Sequence, residues 1–163
     1  MQIPVWMDDW EHECCGPLRR IGDAIEMHLC LDPDAAEVSP SKEPAVVVLD
    51  HGLVRIAGFI ADAGSGLQIF HADGLAVAIE NGGLRVGEAA CEGRLWMTQH
   101  PTSEAYPVTT GRIRELRWHP SRANEVKPHQ FEIHPDFDHG QPLKSTNQHP
   151  QQRHWVFCFI VDI

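Results

Sequence analysis

The chain has 163 residues and carries 13 Lys and Arg against 23 Asp and Glu, a formal charge of −10 with its 11 His counted as neutral. That length fits a single domain, 1–163, able to bury a core of its own. The acidic balance argues against a nucleic-acid partner, which needs clustered Lys and Arg, and no run reaches the roughly 18–20 apolar residues of a membrane helix. The charge is uneven: residues 1–50 hold 11 acids and 3 bases, residues 111–163 hold 6 acids and 7 bases. The two halves could attract each other within the fold or across a dimer, or simply present solvated faces. Five cysteines (Cys14, Cys15, Cys30, Cys91, Cys158) are odd in number and scattered, unlike a secreted disulfide framework. The first six residues lack the basic and apolar regions of a signal peptide. Both features point to the cytoplasm.

In chain order, Asp8-Asp9-Trp10-Glu11 has the form of a capping box and Gly16-Pro17 is a stop, which predicts a turn or two of helix over 9–15. Ile25, Met27, Leu29 and Leu31 then alternate with polar or small residues, the mark of a half-buried strand. Residues 32–44 carry three prolines and read as an exposed loop. Val46–Leu49 and Leu53–Ile60 form a hairpin around Asp50-His51-Gly52, and Leu67–Phe70 and Leu75–Ile79 another around Asp73-Gly74. Gly93–Gln99 and Thr109–Trp118 are further strands. In the latter, Ile113 has the opposite parity to Leu116 and Trp118, which predicts a bulge near Arg114-Glu115. Residues 119–152, with Pro120, Pro128, Pro135, Pro142 and Pro150 among polar neighbours, read as a long irregular excursion. The last strand, from Trp155, is apolar on both faces and should lie centrally, covered on both sides. The sum is an all-β barrel or sandwich of about seven to nine mostly antiparallel strands, with a short N-terminal helix.

Two groups have metal-ligand chemistry. His129, His134, Asp136, Asp138 and His139 supply imidazole and carboxylate, suited to zinc, iron or manganese; in an extended segment His134, Asp136 and Asp138 would share a face. The alternative is a polar, Pro-rich loop that happens to carry histidines. His12, Cys14 and Cys15 suit zinc, yet lack the Cys-x-x-Cys pairing of recognisable sites, so a capped helix with one buried thiol competes. Cys–His pairings for nucleophilic catalysis are uninformative with so many of each residue. Arg112, Arg114, Arg117 and Arg122 beside Trp118 could stack bases, or could protect an exposed strand face. The tryptophans Trp6, Trp10, Trp96, Trp118 and Trp155 fill or cap the core, or line a ligand pocket.

Trp6, Asp8-Asp9-Trp10, Cys14-Cys15-Gly16 and Gly22-Asp23, with the later Thr109-Thr110-Gly111-Arg112-Ile113, resemble the pattern of an uncharacterised family of small actinobacterial β-rich proteins. The resemblance covers about a third of the chain. It implies a short first strand leading to the Trp and a structural corner at Cys14-Cys15-Gly16, and it transfers no activity.

Three functional readings remain. The first is a non-catalytic cytosolic binding or interaction module for a protein or small-molecule ligand. The second is a metal-binding protein, with hydrolysis as one use of the metal. The third is a homodimer whose apolar C-terminal strand completes a partner's sheet.

Overall fold

The computed structural model describes residues 1–35, 45–72, 74–80, 83–128, 130–148 and 154–163. In order, β1 (Gln2–Asp8) leads into α1 (Asp9–Cys15), followed by β2 (Ala24–Ala35), β3 (Ala45–Val48) and β4 (Val54–Gly64). Then come β5 (Leu67–Ala72), β6 (Leu75–Ile79), β7 (Gly87–Thr98), β8 (Val108–Lys127), β9 (Gln130–Pro135), β10 (Gln141–Pro142) and β11 (Trp155–Asp162). Strand makes up 64% of the structure against one α-helix of 7 residues, so the all-β class stands. Eight strands close a mixed barrel in the order β8-β11-β1-β7-β4-β5-β6-β2 and back to β8. The two parallel joints are β1–β7 and β2–β6. β2 and β7 also pair with each other, His28–Ala35 against Thr98–Glu92. β7 is bordered on its other edge by β4 and then β1, and β2 by β6 and then β8.

The barrel interior is packed rather than hollow. Ile3, Val5 and Met7 of β1 meet Trp155, Phe157, Phe159 and Val161 of β11 there, together with Ile56, Phe70, Val77 and Leu95. Burying each such side chain contributes about 1.5–3 kcal/mol. β11 lies between β1 and β8, and its alternate residues Val156 and Cys158 form a second buried cluster with Trp6 on the outside of the barrel. Phe137 and Trp96 cover that cluster, so the strand is apolar on both faces because both are roofed. The dimer reading meets a correction here. Both edges of β11 are already hydrogen-bonded, so the strand cannot complete a partner's sheet without displacing β1 or β8.

The parity conflict in β8 is resolved as its sequence requires. Ile160 faces Glu115 and Val161 faces Ile113, so Arg114 is the extra residue and Ile113 and Leu116 both point inward. Elsewhere the strands outrun their patterns. β2 continues to Ala35 through a register shift at Pro33, which cannot donate to the ladder. β7 starts at Gly87, six residues early, because Ala89, Ala90 and Cys91 are buried but too small to read as a strand. β8 runs on to Lys127 and pairs with β9, so much of the segment expected to be irregular is a two-stranded ribbon. The ribbon projects beyond the barrel, and with most of 119–127 exposed it shows no apolar alternation. Residues 36–44 of the expected loop, and His129 and 149–153 of the excursion, lie outside the described residues.

Candidate functional site

A groove of about 880 Å3 runs along the outer face of the β2–β7 ladder. Inward-facing Leu29, Leu31, Leu95 and Met97 belong to the core. The residues between them, Cys30, Arg94, Trp96 and Thr98, therefore face outward and form the floor. One wall is Asp8 and the start of α1. A second is the segment from His100 to Tyr106 with Glu80, and a third is the strap His134–Phe137.

The first wall departs from the expected capping box. Asp8 is the N-cap residue but makes no side-chain cap bond. Glu11, at the position that should reach back to it, instead accepts from Thr98 Oγ1 at 2.9 Å and from the Gln99 N–H at 2.8 Å. Those two bonds fix the helix against the end of β7 and leave Asp8 to the groove. Burial lifts the Asp8 carboxyl to about 6, helped by the like charges of Asp9 and Glu11 and opposed by a hydrogen bond from Trp10. Trp10 is 53% exposed at the groove mouth. Its indole stacks on His100 at 5.8 Å and 7°, and the His100 Nε2 lies 3.2 Å from Cys14 Sγ.

On the second wall Tyr106 is buried and donates its hydroxyl to Glu80 Oε1, which also accepts from Thr102 Oγ1 at 3.0 Å. Burial and the Glu80 bond push the Tyr106 hydroxyl well above its ordinary range, so it acts as a donor and not as a base. On the floor, Trp96 Nε1 is buried without a hydrogen-bond partner among the described residues. The Arg94 guanidinium lies 3.7 Å from the centre of the Phe137 ring.

Phe137 is held from behind as well. Its ring meets Trp6 edge-on at 4.8 Å, and Trp6 donates Nε1–H to Gly52 O at 3.2 Å. His119 meets the same indole at 4.9 Å and is buried. His119 Nδ1 lies 2.9 Å from Asp136 O, so it carries the proton. Its Nε2 is buried with no hydrogen-bond partner among the described residues and packs against Gly140, where a Cβ would fall 2.3 Å away. Burial lowers the His119 pKa, and nearby Arg117 adds to the effect.

The sequence-derived metal residues are dispersed. β9 ends at Pro135 and the chain turns, so the alternation expected to align His134, Asp136 and Asp138 stops. His134 is exposed and lines the groove. Asp136 pairs with His139 at 2.9 Å, and Asp138 pairs with His51 across the barrel end. His12 packs edge-on against Phe157 at 5.2 Å, while Cys14 faces His100. His129 and the Cys15 side chain lie outside the described residues. Among the described residues no three His, Cys, Asp or Glu side chains come together as a metal-holding group. Three of the four singled-out arginines of β8 have protein partners: Arg112 with Gly22 O, Arg114 with Asp162 and Arg117 with Glu115; Arg122 lies exposed on the stretch that pairs with β9. Asp8, Glu80, Arg94, His100 and Tyr106 were not singled out as site residues by sequence. The tryptophan set gave a partial signal, for Trp10 and Trp96 do line a pocket, though outside the barrel.

Fold and groove together define a closed mixed β-barrel with an aromatic, acid-lined cleft on its outer surface. The chain belongs to a family of unknown function, DUF6578, whose family model matches residues 1–163. No curated protein and no solved structure matches the chain. Among the described residues no helix is long and apolar enough to cross a membrane.

Proposed function

We propose that the protein is a non-catalytic binding module and that the outer groove is where it takes a small-molecule ligand. The observation that carries this reading is the groove itself: about 880 Å3, with Trp10, Trp96 and Phe137 along it and Asp8 in reserve. The volume lies within the range of small-molecule sites, and aromatic walls with few fixed polar groups are their usual chemistry. A fragment screen read by the indole N–H signals of Trp10 and Trp96 tests it. Hits should shift those two signals and lose affinity in Trp96→Ala. Hits that map elsewhere, or that bind Trp96→Ala unchanged, would refute the reading.

A metal-binding reading has one observation in its favour, the Cys14 thiol 3.2 Å from the His100 imidazole, which is half of a zinc ligand set. Elemental analysis of untagged protein decides it: stoichiometric zinc, iron or manganese lost in Cys14→Ser would support it, and metal-free protein that takes up none on titration would end it. The buried thiols of Cys91 and Cys158 fit a reducing, cytoplasmic setting.

A further inference from the structure

We propose that the groove binds an organic ammonium cation, with the charged nitrogen at Asp8 and the carbon frame against Trp10 and Trp96. This rests on the binding-module reading above and names its ligand class.

Among the described residues four carboxylates line the groove, those of Asp8, Asp9, Glu11 and Glu80, against one guanidinium, that of Arg94. A carboxylate or phosphate ligand would enter against that excess. Three of the four acids are committed to the protein. Glu11 uses both oxygens, Asp9 accepts from the backbone N–H groups of Trp10 and Trp155, and Glu80 accepts from Thr102 and Tyr106. Asp8 is the least committed of the four, with one hydrogen bond from Trp10 to oppose its desolvation.

Trp6 and Trp96 are register partners of the parallel β1–β7 pair, with rings 6.4 Å apart. Asp8 is two residues beyond Trp6 and so emerges on the same outer face, level with Thr98 and two residues along the floor from Trp96. Trp10, two residues further on in α1, lies exposed at the groove mouth and hydrogen-bonds the Asp8 carboxyl. A carboxylate beside two indoles is the arrangement that holds alkylammonium groups, through Coulomb attraction and the negative ring faces.

Asp8 also lies in a field of its own sign. The charges acting on it from α1 are Asp9 and Glu11. The far walls bring Glu80, His100 and His134, and the floor brings Arg94. A bound cation would relieve the like-charge crowding and favour the ionised form, so binding near pH 6 should release a proton.

Three isosteric probes test the proposal: 2-phenylethylamine, 2-phenylethanol and phenylacetate. Each is titrated at pH 7.5 and pH 5 while the indole N–H signals of Trp10 and Trp96 are followed. The amine should bind about tenfold or more tightly than either isostere at pH 7.5. Its advantage should shrink at pH 5 and in Asp8→Asn, and persist in Asp8→Glu. If the alcohol or the acid moves both indoles as readily as the amine, the cation claim falls and the groove reading stands. If none of the three moves either signal up to its solubility limit, both fall.

Discussion

Asp8→Asn should make the protein more stable at neutral pH, and the gain should vanish in acid. In the unfolded chain the Asp8 carboxyl ionises near its ordinary 3.8, but in the folded chain not until about 6. Between those values the native state holds the proton and the unfolded state does not. Stability therefore falls as pH rises through this window, and above it the full cost is in place. At about 1.4 kcal/mol per pKa unit, ionised Asp8 costs the fold about 3 kcal/mol. Asparagine keeps the shape, the acceptor for Trp10 and a good N-cap residue, and it carries no charge to desolvate. Loss of a negative charge at the start of α1 opposes the gain by a fraction of a kcal/mol. The expected net gain at pH 7.5 is about 2–3 kcal/mol, or roughly 5–10 °C in Tm for a chain of this size. Urea denaturation of both proteins from pH 3.5 to 8 measures it. The curves should converge below pH 4 and separate above pH 6. A gap of the same size at every pH, or a less stable Asp8→Asn protein at pH 7.5, would refute the reasoning.

Other perturbations test the surrounding structure. Gly52 has φ +69° and a Cβ there would sit 2.3 Å from the Trp6 ring; Gly52→Ala should cost at least about 2 kcal/mol in denaturant unfolding, and an unchanged midpoint would contradict the packing. Phe137→Ala removes the contacts with Trp6 and Arg94 and should cost about 1–3 kcal/mol, with faster amide exchange over residues 135–140 as the local signature. Because burial lowers the His119 pKa, its proton binds the unfolded chain more readily, and stability should fall as pH drops below about 6.5; His119→Asn, which retains a donor for Asp136 O, should flatten that part of the curve. Among the described thiols, exposed Cys14 should alkylate first. Cys158, buried and pushed up to about 12, should react only on unfolding, as peptide mass spectrometry would show.

The strands of this fold were legible wherever one face was buried and the other wet. Ile25 to Leu31 and the parity conflict across Ile113, Leu116 and Trp118 are such places, and the structure agrees with them down to the bulge at Arg114. Legibility failed where the physical cause of the pattern was missing. The start of β7 is buried through alanines, which carry too little apolar surface to mark a period. The β8 half of the β8–β9 ribbon is exposed over most of Arg122 to Lys127, so it carries no apolar alternation to read. The groove was harder still. Its floor comes from the polar positions of two strands distant in sequence, Cys30 and the pair Arg94 and Trp96, which only the β2–β7 ladder brings together. The histidine-rich segment drew attention for its composition, yet its pairs Asp136–His139 and Asp138–His51 bind one another rather than a common centre.

The capping-box motif shows how a site can hide inside a structural signal. Asp8 and Glu11 have the right identity and spacing to cap α1, and a box would have occupied both of them. The fold instead uses Glu11 to tie α1 to Thr98 and Gln99, which leaves Asp8 partly desolvated beside two acids. Nothing in the barrel gains from this, since asparagine would serve the helix equally well. Phe137 then sets the opposite wall through Trp6, a ring already locked by Gly52 and by the outer cluster of β11. Both walls are thus positioned by contacts that do not need a ligand, which lowers the ordering cost of binding one. A charge held at a stability cost inside a preformed cleft fits the binding role proposed above, and the pH-dependent gain from Asp8→Asn measures how much stability the fold gives up to keep it.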